Sequence, residues 1–231
     1  MSFVSAIIVA AGNSTRMGTG RPKIFEDILG LPALVYTLKA FEDSELINEI
    51  IIVCKDEHSE KIKQLTEIFK ISKFKKFATG GTTRQKSVFS GLSKISDEST
   101  HVAIHDAARL LVTKDIIDEV VKVAYIKGAC ATGVPVKDTI KFVDEDGNII
   151  NTVDRSHLWS VHTPQVFEKG LYLKAFEYAR DNQKDYTDDC QLIENYGQKV
   201  QMILGSYSNL KLTTVDDIPI FEEILKRRNL K

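Results

Sequence analysis

At 231 residues the chain is long enough for one large domain or two small ones and for a sizeable core. It is 43% hydrophobic and 27% charged, and its 31 Lys plus Arg against 32 Asp plus Glu leave a net charge of -1, without the basic excess of a nucleic-acid binder. Its three cysteines, Cys54, Cys130 and Cys190, make no CxxC or Cys/His spacing, no apolar run approaches the ~18 residues of a membrane span, and no basic leader precedes a long apolar stretch, so the expected setting is the reducing cytoplasm.

Residues 5–9 form a short apolar run that predicts a buried strand. Residues 34–41 put Leu34, Leu38 and Phe41 on one helical face. EIIIVC at 49–54 predicts a second buried strand, and 57–68 a helix with Ile62, Leu65 and Ile68 inward. A weaker strand at 74–79 precedes a helix at 85–95 through Val88, Leu92 and Ile95. Residues 101–105 predict a strand, and Thr113 caps a helix over 114–127. An apolar stretch at 129–136 has Gly133 inside it. Helices at 170–181 and 188–196, a strand at 200–204 and a closing helix at 216–228 complete the order.

Strands alternating with helices predict an α/β fold, a Rossmann-like, mostly parallel sheet flanked by helices. Such sheets bind ligands outside the carboxyl ends of their strands, which singles out the loops at 10–23, 80–84 and 106–110. Residues 137–158 break the pattern: TIKFV and IINTV flank an Asp146-Gly147 turn, the mark of a hairpin. A hairpin is marginal alone, so a second subunit is its expected support. The expected organisation is one domain over residues 1–231 with residues 137–158 as a protruding dimerisation arm.

The first loop, AAGNSTRMGTGRPK, holds three glycines and three cations, Arg16, Arg21 and Lys23, and no acid. Five residues separate Gly12 from Gly18, and Thr19 follows, so it is no P-loop; Ser14 stands where a dinucleotide fingerprint needs glycine. What remains is a small-residue turn whose amides and cations suit a polyphosphate, or else a solvated surface loop.

AAGNSTRMGTGRPKIF resembles the signature of sugar-type nucleotidyltransferases. GGTTRQKSV, HDAAR, DTIK, VDRSHLW, TPQVF, TDD and NLKLTT follow in the order of the IspD family, the 2-C-methyl-D-erythritol 4-phosphate cytidylyltransferases of the non-mevalonate isoprenoid pathway. The resemblance runs from about residue 6 to 218. It implies a nucleotidyltransferase-type fold and a Mg2+-assisted attack of the polyol phosphate on the α-phosphorus of CTP. It also implies a homodimer in which each arm completes the partner's site.

By that resemblance Ala10, Ala11, Gly12, Asn13 and Ser14 line the triphosphate, and Arg16, Lys23 and Lys211 are the catalytic cations. Gly80, Gly81, Arg84 and Ser87 select cytosine; Asp106 holds the metal, with Ala107 near the ribose; Arg109, Thr139 and Arg155 reach the acceptor. Taken from spacing alone, Gly80-Gly81 is a turn before a helix capped by Thr82 or Thr83, and Asp106 caps a turn. Thr163-Pro164-Gln165 resembles a family motif near the site, or else is simple turn chemistry; Asp188 and Asp189 read as helix caps, and His105 as a hydrogen-bonded strand residue. Two positions depart from the family pattern: Leu110 replaces a proline and Ser14 a glycine. The sister ribitol-5-phosphate cytidylyltransferases usually carry AGG and HDAVRP where this chain has AAG and HDAAR. A non-catalytic nucleotide-binding homologue would be expected to lose Arg16, Lys23, Asp106 or Lys211, and all four are present.

Overall fold

The computed structural model describes residues 2–14, 17, 18 and 21–229. Its centre is a seven-stranded sheet built from the apolar runs. The strands are β1 (Val4–Val9), β4 (Glu49–Cys54), β5 (Phe74–Thr79), β6 (His101–Asp106), β7 (Ala129–Pro135), β10 (Trp159–Glu168) and β11 (Gln201–Leu204). Their order is β11-β7-β10-β6-β1-β4-β5. The β1/β4, β1/β6, β4/β5 and β7/β11 pairs are parallel, with Ile7 opposite both Ile51 and Ile104. Only β10 runs antiparallel to both its neighbours, β6 and β7. The sheet is therefore mixed but mostly parallel, as the alternation predicted.

Burial on both faces explains why these strands read as unbroken apolar runs and not as alternating ones. On one face Ala6, Ile8, Ile50, Ile52 and Ala103 pack against α1 (Ala33–Asp43), α2 (Asp56–Ile68) and α4 (Lys114–Lys127). On the other, Ile7, Ile51, Val53, Val102 and Ile104 pack against α3 (Arg84–Leu92), α5 (Lys169–Asp181) and α6 (Asp189–Asn195). Side chains such as Phe41, Ile51 and Phe167 are fully buried, and each such burial contributes about 1.5–3 kcal/mol. A third cluster seats α7 (Ile218–Asn229) through Phe221 and Leu225 on Ala108, Leu110, Leu111 and Leu212. Leu110 thus serves as an apolar support beneath the loop that follows β6.

Local capping rules hold at the ends of α3 and α4. Thr113 accepts from the Ile116 amide as the cap of α4, and Gly128, at φ 78°, closes that helix. Thr83, not Thr82, caps α3 by accepting from the Lys86 amide. A short hairpin, β2 (Asp27–Ile28) and β3 (Leu31–Pro32), turns on Leu29 and Gly30, both at positive φ. The arm contains β8 (Lys141–Val143) and β9 (Ile149–Thr152), a separate two-stranded sheet whose residues are all exposed.

Three readings need correction. Ile68 is 68% exposed, because the inward stripe of α2 runs through Ile62 and Thr66. Residues 163–165 lie inside β10, where a register shift between Val161 and Gln165 lets Pro164 sit outside the ladder. Asp188 alone caps α6, accepting from the Gln191 amide; Asp189 is 2% exposed and differently engaged.

Candidate active site

β1 lies between β4 and β6, so the chain winds away from it in both directions. In doubly wound sheets the crevice at the carboxyl end of such a strand receives the ligand. A cleft of about 460 Å³ opens there, walled by the segments after β1, β4, β5 and β6 and by Lys211 and Thr213. Backbone bonds stitch these segments together: Ala10 N to Val53 O at 2.7 Å, Gly80 N to Cys54 O at 2.9 Å and Ala107 N to Val9 O at 3.0 Å.

Ala10, Ala11, Gly12, Asn13 and Ser14 all line the cleft, as do Lys23, Gly80, Gly81, Arg84, Ser87, Asp106 and Lys211. Arg16 falls outside the described residues. Ser14 adopts φ 53°, the left-handed region that favours glycine. Its hydroxyl accepts from the Lys23 amide at 3.0 Å, a bond that glycine could not make, and this ties the two ends of the loop together. Lys23 opens a single 3-10 turn after Pro22, and its Nζ donates to Leu212 O at 3.0 Å.

Gly80 and Gly81 pack inward against the protein. A Cβ on Gly80 would fall 2.3 Å from Ala11 Cβ, and one on Gly81 2.5 Å from Lys86 Cβ. The Gly81 amide donates to Ser87 Oγ at 3.0 Å, and that hydroxyl donates to Thr83 O at 2.9 Å. Ser87 therefore shapes this loop as well as facing the cleft.

Asp106 is the electrostatic centre. Lys211 Nζ lies 2.6 Å from its Oδ2 and Arg84 Nε 3.2 Å from its Oδ1. Burial works to raise its pKa, but the Arg84 and Lys211 cations, the Lys211 hydrogen bond and Arg109 outweigh burial and hold the carboxyl well below the usual range. It is a carboxylate at every working pH. Beside it, burial pulls the His105 imidazole down to about 3. That ring is fully buried between Thr163 Oγ1 at 3.0 Å and Arg109 O at 3.3 Å, a structural role as predicted. Among the described residues no three His, Cys, Asp or Glu side chains gather to hold a metal. A lone carboxylate still fits Mg2+, which needs only one or two together with substrate phosphates.

The remaining predicted residues do not line the cleft. Ala107 is buried under α1, its carbonyl accepting from Thr37 Oγ1 at 2.9 Å, and it is Ala108 that lines the cleft. Arg109 donates through Nη1 to Asn209 O at 2.9 Å and through Nη2 to Val161 O at 3.4 Å, which places it between β10 and the segment carrying Lys211. Thr139 and Arg155 are exposed on the arm, where Arg155 donates to the Lys137 carbonyl. None of these four lines the cleft.

Lys55 and Thr213 line the cleft without having been singled out from sequence. Lys55 directly follows β4, so the strand-end rule covers it as it covers the three loops that were read. Asp189 closes the TDD motif, but nothing in the sequence signalled its pairing with Arg84, 105 residues away.

Comparison with known proteins bears on what this cleft does. A family model described as IspD, 2-C-methyl-D-erythritol 4-phosphate cytidylyltransferase, matches residues 4–227. A relative of that name from Caldanaerobacter subterraneus subsp. tengcongensis is 47% identical, covering 97% of this chain and 99% of its own. Another from Alkaliphilus oremlandii is 42% identical over 99% and 97%. The 4-diphosphocytidyl-2C-methyl-D-erythritol synthase of Anaerococcus prevotii superposes with a TM-score of 0.86 at 30% identity, covering 97% and 99% of the two chains. The 2-C-methyl-D-erythritol 4-phosphate cytidylyltransferase of Thermus thermophilus superposes with a TM-score of 0.80 at 30% identity, covering 98% and 100%.

Proposed function

The chain belongs to the IspD family of 2-C-methyl-D-erythritol 4-phosphate cytidylyltransferases, and from that premise we propose that it joins CTP to 2-C-methyl-D-erythritol 4-phosphate in the non-mevalonate isoprenoid pathway. An oxygen of the acceptor phosphate attacks the α-phosphorus of CTP, a new P–O bond forms, and pyrophosphate leaves. The products are 4-diphosphocytidyl-2-C-methyl-D-erythritol and pyrophosphate.

The observation that carries this reading is the charge arrangement in the cleft: Asp106 between Lys211 and Arg84, with Lys23 and the residue 10–14 loop lining the same cleft. No covalent intermediate is required, so the protein's task is to align two anions and stabilise charge at the phosphorus. Lys23 and Lys211 meet the triphosphate and the charge that builds on it, and Arg16 joins them. The residue 10–14 loop cradles the chain of phosphates with the amides beyond Ala10, whose own N–H is spent on Val53 O. Gly80, Gly81, Arg84 and Ser87 border the cytosine end, and Ala108, in place of the buried Ala107, lines the cleft near the ribose. Asp106 would hold Mg2+, which would neutralise phosphate charge when bound. Lys211 leaves Asp106 for a phosphate when the nucleotide arrives.

The acceptor is read by Arg109 and, across a homodimer, by Thr139 and Arg155 of the partner's arm. Support comes from the arm's exposed Phe142, Val143, Ile149 and Ile150, an apolar surface suited to a second copy. Among the described residues no helix is long and apolar enough to cross a membrane.

The decisive assay is pyrophosphate release from CTP with Mg2+, offering 2-C-methyl-D-erythritol 4-phosphate and ribitol 5-phosphate in parallel. Strong preference for the first is expected. Preference for ribitol 5-phosphate would overturn the acceptor and keep the nucleotide site; release with neither would overturn both.

A further inference from the structure

Arg84 stands in the first turn of α3, where the helix dipole disfavours a cation. It is nevertheless held in place on two sides. Its Nε reaches Asp106 at 3.2 Å, while its Nη1 reaches Asp189 Oδ2 at 2.6 Å. The shorter bond points away from the cleft, to a carboxylate that is 2% exposed and absent from the cleft lining.

Asp189 is itself fixed. Its Oδ1 accepts from the fully buried Tyr172 hydroxyl at 2.7 Å, and its amide donates to Gln165 Oε1 at 3.2 Å. The segment leading to it is tied to the same turn of α3. Gln85 Nε2 donates to Lys184 O at 3.2 Å, the Tyr186 amide to Gln85 Oε1 at 2.9 Å, and Thr83 Oγ1 to Asp185 Oδ1 at 3.3 Å. Two elements distant in sequence, β6 through Asp106 and α6 through Asp189, thus converge on one guanidinium.

A buried ion pair is a poor source of stability, since desolvation offsets much of the attraction. A planar guanidinium gripped by two carboxylates is well suited to fixing direction. We propose that Asp189 is a positioning residue for the cytidylyl transfer: it anchors Arg84, so that Arg84 keeps the Asp106 carboxylate aimed into the cleft after Lys211 has moved to the triphosphate. The line runs Tyr172, Asp189, Arg84, Asp106. Lys211, at 38% exposure and with no such anchor described, is the cation that swings.

This proposal rests on the CTP reading above, and its test separates the two. CTP binding with Mg2+ is measured by titration calorimetry for the wild type, D189N, R84Q and the double variant, each with a thermal melt. D189N should weaken CTP about tenfold, and the double variant should bind within about twofold of R84Q alone, because both changes break one line. D189N binding within twofold of wild type, or losses that multiply in the double variant, would overturn the proposal while leaving the CTP site standing. A wild type that binds no CTP would overturn the functional reading itself. Should D189N fail to fold, Y172F removes only the hydroxyl. Its smaller loss should vanish in the R84Q background, and an equal loss in both backgrounds would overturn the proposal.

Discussion

Replacing Gly80 by alanine probes how closely the two cleft-lining loops are packed. The added Cβ would lie 2.3 Å from Ala11 Cβ, where carbon atoms rest at about 3.5–4.0 Å. Ala11 Cβ is fixed to its backbone, so the residue 10–14 and 80–84 loops must part by roughly 1.5 Å. Overpacking of this kind costs about 1–3 kcal/mol, which for a chain of this length lowers the melting temperature by about 3–10 °C. A misplacement of about 1 Å near the reacting atoms costs on the order of 100-fold in rate, and kcat/KM for CTP should fall by that order. The structure also specifies the remedy. The next nearest atoms to the new Cβ are Ala11 Cα and Cys54 O, both at 3.7 Å, which is ordinary contact. The A11G/G80A double variant should therefore melt within about 2 °C of A11G. Differential scanning calorimetry and steady-state kinetics read both effects. A G80A protein with unchanged melting and turnover, or a double variant that melts no higher than G80A, refutes the reasoning.

Lys23→Ala should lower kcat on the order of 100- to 1000-fold with an unchanged melt, as expected for a lost contact to developing charge; unchanged turnover removes Lys23 from the mechanism. Arg155→Ala should raise the acceptor KM while leaving CTP binding intact. Mixing R155A with K23A protomers should restore roughly a quarter of wild-type sites, since each mixed dimer rebuilds one complete site; mixtures no more active than their parents rule out the shared site. Stability should depend on pH through His105. The folded imidazole titrates at about 3, the unfolded one near 6.5. Between those values the unfolded chain binds the extra proton, so this contribution is complete above about pH 6.5 and is lost as pH falls, by about 2 kcal/mol from pH 7 to 5. Urea unfolding at the two pH values should show a drop smaller by that amount in H105N, and an equal drop in variant and wild type contradicts the assignment.

Buried parallel strands were legible because burial on both faces demands runs such as EIIIVC, and the cap at Thr113 was legible because capping is local. β10 was not. Pro164 argues against a strand, and only the register shift between Val161 and Gln165 makes room for it. The inward stripe of α2 was misplaced for a related reason: Thr66 faces in at 5% exposure while Ile68 faces out, an inversion decided by packing and not by hydropathy. In the cleft, the loops after strands were readable from the strand-end rule. The pairings were not, since Lys211 meets Asp106, and Arg84 meets Asp189, each across 105 residues.

The way the arm is rooted has a consequence for how such proteins diversify. β7 and β10 are adjacent, with Pro135 opposite Trp159, and the Val136 amide donates to Leu158 O at 2.9 Å. The chain thus leaves the sheet and rejoins it at one spot, making a closed excursion and not a bridge between distant elements. Lengthening, trimming or exchanging residues 137–157 should leave both strand registers and every cleft-lining loop where they were. Such a root makes the arm a cassette: an insertion that can drift, or be grafted whole from another chain, while the body that carries it is inherited unchanged.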